Sequence, residues 1–236
     1  MVTGFGGGAR GVGGVEVPLR PSPKCTRDRP GVRDLWKNMQ LPHQRELGLE
    51  ATEVLVQVEQ RAANLFVTRQ YWCAESVFLT LNLGLGGGLD ADTALRLASG
   101  LGEGVGGSGC VCGGLNGGAL AIGLLLGNSR PGWATKRDVM QAVRLLHSRF
   151  KQDFGSTCCR VLTKPVTAGS AAHFELCARH TGSAARMAAR IVLARRPDIL
   201  SVVDWKFLKR RDSAMGAGFR IASGRFKIAS GRSNRG

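Results

Sequence analysis

Gly100–Gly127 reads GLGEGVGGSGCVCGGLNGGALAIGLLLG. Glycine supplies positive φ angles and lets backbones approach closely, so the first half reads as a loop. That loop ends on two cysteines one residue apart, Cys110 and Cys112. The continuously apolar part, Ala119 to Leu126, reads as a buried helix beginning near Gly113, with Pro131 as its downstream breaker. A cysteine delivered to a helix start meets free N–H groups that stabilise a thiolate. The stretch therefore predicts a reactive or metal-binding sulfur, to which other elements bring further sulfurs. No charge falls between Glu103 and Arg130, long enough for a span of about 20 residues. The glycine, serine, cysteine and asparagine of its first half make it a core helix instead, and no membrane span is expected.

Outward from this centre the periodicity is helical. Val54, Leu55, Val58, Ala62, Leu65 and Phe66 share one face of a helix over about 51–70, and Ala74, Val77, Phe78 and Leu81 line a second. Asp90 is placed to cap a helix carrying Ala94, Leu95, Ala98 and Leu101. Val139, Val143, Leu146, Phe150 and Phe154 mark a helix from Ala134 to Phe154, stopped by Gly155. Ala184, Met187, Ala188, Ile191 and Val192 line a last one over about 171–195. No alternating β-branched run stands out. The expectation is an all-α domain over 49–198, a small bundle of about five to six helices.

The ends read differently. Residues 1–48 are Gly-rich and then Pro-rich without periodicity, and read as a disordered extension holding Cys25. The N-terminus lacks the apolar core of a secretory signal, its Arg-containing, acid-poor start leaves an organelle transit peptide as the alternative, and Met39 is a candidate start. Residues 199–236 read as a basic, largely disordered tail. It contains the tandem repeat FRIASGR–FKIASGR at 219–232, too short for a solenoid. The net charge of +16 is weighted toward the two ends, so basicity says little about the folded part.

Seven cysteines, at 25, 73, 110, 112, 158, 159 and 177, are an odd and scattered set, unlike a secreted disulfide framework. A reducing cytoplasm is the expected compartment. There, Cys73, Cys112, Cys159 and Cys177 fall at helix boundaries, from which several elements can aim side chains at one place. Four thiolates serve both iron–sulfur clusters and zinc. The spacing matches neither zinc ribbons nor the ferredoxin run, so ordinary buried thiols remain the alternative at this level. Cys110 and Cys158 are extra sulfurs, each beside one of the four, and suit a resolving or strained-disulfide role. His173, Cys177 and His180 share one helical face, which raises a His-assisted metal site. Gly102, Gly104 and Gly107 match G-x-G-x-x-G, but glycine is dense here and the preceding segment reads as helix, not strand. No C-x-x-C-H occurs, so c-type haem is not expected.

The order Tyr71-Trp-Cys-Ala-Glu-Ser-Val77, Gly100-Leu-Gly-Glu-Gly104, Cys112-Gly-Gly-Leu-Asn-Gly117, Phe154-Gly-Ser-Thr-Cys-Cys159-Arg and Cys177 resembles the redox-active family named for its C-GCAxxG-C-C pattern. The resemblance covers roughly residues 55–195. The family is also similar to the cysteine domain of split-Soret cytochrome c, which has been linked to a [2Fe–2S] centre. The resemblance implies a small helical domain whose shared cysteines are Cys73, Cys112, Cys159 and Cys177. This chain departs from the pattern with Gly114 where the family has Ala, and with Trp72 where it prefers Asn. Its Leu101-Gly-Glu-Gly104 replaces a Phe-Gly-Gly-Gly run.

The expected function is redox activity or electron transfer. The four sulfurs act either as [2Fe–2S] ligands or as a dithiol–disulfide site, with Cys112 as the low-pKa nucleophile and Cys73 or Cys159 resolving it. The alternatives are a structural zinc domain on the same sulfurs, or a basic nucleic-acid-binding module with incidental cysteines. The redox partner and the oligomeric state are left open.

Overall fold

The computed structural model describes residues 48–128 and 133–213. Their order is α1 (Leu49–Val67), α2 (Cys73–Gly84), α3 (Ala91–Ala98) with a 3₁₀ turn Ser99–Leu101, α4 (Gly113–Leu126), α5 (Trp133–Phe154), α6 (Cys159–Thr163), α7 (Ala171–Arg195), a 3₁₀ segment Pro197–Val202 and α8 (Trp205–Lys209). There is no strand among the described residues. One isolated antiparallel bridge, Val111 with Cys158, joins two loops. The all-α reading holds.

The apolar faces read from periodicity are the buried ones. Val54, Val58, Ala62 and Leu65 of α1, Val77, Phe78 and Leu81 of α2, and Leu146 and Phe150 of α5 join Ala184, Ala188 and Val192 of α7 in one core. The predicted Asp90 cap forms, and Ser170 adds a second side-chain cap. Asp90 accepts from the Thr93 N–H at 2.9 Å, and Ser170 at the start of α7 accepts from the His173 N–H at 3.1 Å. Caps of this kind are worth about 1 kcal/mol each. α1 ends three residues earlier than the periodicity suggests, because Arg69 turns into the left-handed region (φ 59°).

α4 packs against α2, α5 and α7, and its sequence explains how it fits. Helical glycine costs about 1 kcal/mol relative to alanine, yet Gly113, Gly114, Gly117 and Gly118 occupy four of its first six positions. A Cβ at Gly117 would run into the Ala74 carbonyl, and one at Gly118 would lie 2.9 Å from Leu146. The missing side chains let α4 lie directly on its neighbours, and that close approach sets its N-terminus beside Cys73.

The chain beyond residue 198 differs from the expected tail as far as Ser213. Leu208 of α8 is fully buried over Gly84, which has no side chain to obstruct it. Asp204 N–H bonds the Gly84 carbonyl at 3.1 Å. Arg61, buried on α1, donates to Asp212 at 2.9 Å, to Asn64 and to the Arg210 carbonyl. A basic composition hid a segment fixed by non-local contacts. The expected N-terminal extension up to residue 47, and the tail from residue 214 with its repeat, lie outside the described residues. No helix among the described residues is long and apolar enough to cross a membrane.

A four-cysteine pocket as the candidate redox site

The site starts with the loop before α4. Residues 103–109 include six left-handed positions: Gly104, Gly106, Gly107 and Gly109 with Glu103 (φ 49°) and Val105 (φ 66°). Such backbone is accessible to glycine and strained for Glu and Val. The strain is held by a closed set of bonds. Gly109 N–H donates to the Glu103 carbonyl at 3.1 Å and Cys110 N–H to the Gly104 carbonyl at 3.0 Å. The chain leaves this knot extended and pairs with the segment before α6. Cys112 N–H donates to Thr157 O at 2.8 Å, Cys159 N–H to Cys110 O, and Arg160 N–H to Gly109 O at 3.0 Å. The Arg160 guanidinium adds a bond to Ser108 O at 2.8 Å.

This pairing delivers two sulfurs, and two more arrive on helices. Cys73 is the first residue of α2, behind Trp72, whose N–H donates to Glu75 at 2.8 Å. Cys112 is the N-cap of α4, Cys159 the first residue of α6, and Cys177 lies on α7. All four line one cleft of about 360 Å³, together with Phe66, Trp72, Glu103, Arg160, Phe174 and His180. The candidate sulfurs, 18 to 104 positions apart in sequence, are brought together.

Their electrostatics are linked through Cys73. Burial pushes the Cys112 thiol up to about 12, and the Cys73 sulfur is the next cause. Burial and then Cys73 raise Cys159 to about 11 and Cys177 to about 12. Cys73 itself is raised by burial, against the N–H groups of Glu103 and Ala74 that favour its thiolate. Cys73 is thus the common neighbour of the other three. The expectation that Cys112 is a low-pKa nucleophile is corrected here. The N–H groups of Gly114 and Leu115 do act on its sulfur in the expected sense, but desolvation and a neighbouring sulfur outweigh them.

The other sequence candidates separate. Cys110 is exposed, and half-buried Cys158 directs its thiol to the Gly109 carbonyl at 3.2 Å; neither lines the cleft. Cys25 lies outside the described residues. His173 and His180 do line the cleft with Cys177. His173 Nδ1 already accepts the Gly169 N–H at 3.1 Å. Buried His180 sits edge-on to Phe154 at 4.6 Å, and burial, with Arg179 nearby, lowers its pKa to about 4, so it is neutral at pH 7. Gly102, Gly104 and Gly107 build the cysteine loop, and no strand precedes them among the described residues. Sequence reasoning missed Glu103 and Phe174 as cleft residues. Glu103 was legible only as a non-glycine inside a glycine loop, and Phe174 as an aromatic one turn before Cys177.

Among the described residues, no three His, Cys, Asp or Glu side chains are gathered tightly enough to hold a metal ion. The four sulfurs share a cleft without closing on one point. A tetrahedral zinc site with bonds of about 2.3 Å would need that closure, whereas a two-iron cluster distributes its four ligands over two metals.

A family model described as "Putative redox-active protein (C_GCAxxG_C_C)" matches residues 71–191, from two residues before Cys73 into the second half of α7. No curated protein and no solved structure matches the chain.

Proposed function

The chain belongs to the C_GCAxxG_C_C family, and from that premise we propose that Cys73, Cys112, Cys159 and Cys177 form a single redox centre whose four sulfurs hold a [2Fe–2S] cluster. The observation that carries this reading is the convergence of all four cysteines on one cleft, where Cys73 acts on each of the other three. Thiols raised by burial, three of them also by the Cys73 sulfur, resist ionising together in an apolar cleft, and a bound cationic centre offsets that repulsion. The donor set fits in a second respect. N–H groups at the starts of α2 and α4, and from Glu103, act on the sulfurs of Cys73 and Cys112, the arrangement that stabilises negative charge at helix N-termini. A [2Fe–2S] cluster, when bound, supplies one-electron transfer. The chain's own part is to fix the four sulfurs from separate elements, to direct N–H groups at them, and to keep them in a largely apolar cleft.

A second reading rests on the contact of Cys73 with the start of α4, next to Cys112. These two thiols would cycle to a disulfide, releasing two protons and two electrons to an acceptor.

Anaerobic purification with an absorption spectrum and iron, sulfide and zinc analysis separates the readings. Iron and sulfide in equal amounts, lost in Cys112→Ser, is the expected result. A colourless protein without iron after anaerobic reconstitution overturns the cluster reading, and thiol titration before and after oxidation then tests the dithiol one. Stoichiometric zinc with chelator-induced unfolding would instead support a structural site.

A further inference from the structure

Cys110 is not one of the four sulfurs, yet the fold pairs it with one of them. Val111 and Cys158 form an antiparallel bridge, and the bonds on either side of it, Cys159 N–H to Cys110 O and Cys112 N–H to Thr157 O, set the register. In that register Cys110 stands directly opposite Cys159. Directly opposite residues of a hydrogen-bonded antiparallel pair have Cα atoms about 5.5 Å apart, inside the range of about 4.4–6.8 Å that a disulfide spans. Side chains alternate along extended chain. Cys110 therefore shares its face with Cys112 and stands across the pairing from Cys159; those two line the cleft, and Cys110 lies just outside it. Cys158 falls on the other face with Val111, and its thiol is engaged by the Gly109 carbonyl. Cys110 is exposed, whereas Cys112 is buried and the other cleft sulfurs are partly so. An external reagent meets Cys110 first.

We propose that Cys110 is a thiol-modification site for low-molecular-weight disulfides, and that Cys159 resolves the adduct, forming a Cys110–Cys159 disulfide that switches the redox centre off. In the first step the Cys110 thiolate attacks one sulfur of a disulfide RSSR. The S–S bond breaks, Cys110–SR forms, and the displaced RS⁻ takes a proton from solvent. In the second, the Cys159 sulfur attacks Cys110 Sγ, the mixed disulfide breaks, and a second RSH leaves. Two protein thiols and one RSSR give one protein disulfide and two RSH. Only the last consequence, loss of the centre through capture of one of its four sulfurs, rests on the function proposed above.

The test is non-reducing peptide mapping by mass spectrometry of the full chain, reduced and then exposed to oxidised glutathione. A peptide linked through Cys110–Cys159 is expected in the parent protein, absent in Cys110→Ser. Cys159→Ser is expected to accumulate a glutathione adduct on Cys110. A first link at Cys73–Cys112 or Cys158–Cys159, or a parent protein whose Cys110 stays unmodified, overturns the proposal. If iron and sulfide bind but the link never forms, the switch fails and the cluster reading stands. If the link forms in a chain that takes up no iron, the modification site stands and the cluster reading fails. Where both hold, oxidised glutathione should release most of the iron from the parent and little from Cys110→Ser.

Discussion

The sulfur of Cys73 occupies the space that a Cβ on Gly113 would fill. One residue on each side of this contact is a helix start: Cys73 opens α2 and Gly113 opens α4. The site exists because α4 begins with a residue that has no side chain. The Leu101 carbonyl and the Ala74 N–H also crowd the same point, at 3.1 and 3.3 Å from that Cβ, so neither helix has room to yield.

Gly113→Ala should therefore displace Cys73 and separate it from Cys112. Overpacking costs about 1–3 kcal/mol, and alanine's helix preference returns little at a first-turn position. Chemical denaturation should show a lower midpoint at unchanged slope, together with reduced iron content or reduced disulfide formation. Full stability and full loading would show that the contact does not position the centre.

Thiol reactivity should follow the order of burial. With Cys112 held up to about 12 and Cys159 to about 11, alkylation of the reduced, metal-free chain at pH 7 should spare both and label exposed Cys110. The rates at Cys159 and Cys112 should climb as pH rises toward those values, because only the thiolate reacts. Cys73→Ser should bring both profiles to lower pH by removing the neighbouring sulfur, yet leave them above an ordinary cysteine because burial persists. Site-resolved alkylation across pH 6–11 measures this, and unchanged profiles in Cys73→Ser would remove Cys73 from its central place.

The Arg61–Asp212 pair should make the attachment of the last described segment acid-sensitive. Burial opposes the Asp212 charge, but hydrogen bonds from Arg61 and Arg210 outweigh it and hold the carboxyl below its usual range. A carboxylate with a depressed folded-state pKa contributes stability that is present above about pH 4 and lost as pH falls through the lower, folded value. Asp212→Asn should cost about 1–3 kcal/mol at pH 7, and the deficit should shrink below pH 4. Hydrogen exchange over Asp204–Asp212, compared at pH 7 and pH 3, reads the same event. A pH-independent deficit would mean that packing alone holds the segment.

Leu208→Ala should cost about 2–4 kcal/mol, in the range for emptying a fully buried leucine site, and should loosen α2 where Gly84 meets α8. Thermal unfolding measures the loss. A change within experimental error would show that the segment after residue 198 is not part of the core.

Where the sequence was legible, the information was local and periodic. The face of α1 from Val54 to Phe66 and that of α7 from Ala184 to Val192 repeat at the helical period, so their burial follows from any partner that covers them. The Asp90 cap is legible for the same reason, since a cap reads only the next three residues. The segment after Pro197 was not legible. Leu208 and Asp212 carry no periodicity, and their partners Gly84 and Arg61 lie more than a hundred residues away.

The sequence by itself determined the all-α class, the principal helices, the glycine loop and the four cysteines that belong together. Each of these rests on local spacing or on a motif order that survives without coordinates. Only the tertiary structure decided what those sulfurs are like. A helix start lowers a thiol's pKa by geometry that the sequence displays, but at Cys112 burial and two neighbouring sulfurs raise it, and both depend on elements that meet only in the folded chain. The same dependence on pairing, not on order along the chain, places Cys110 opposite Cys159 and turns Cys158 away.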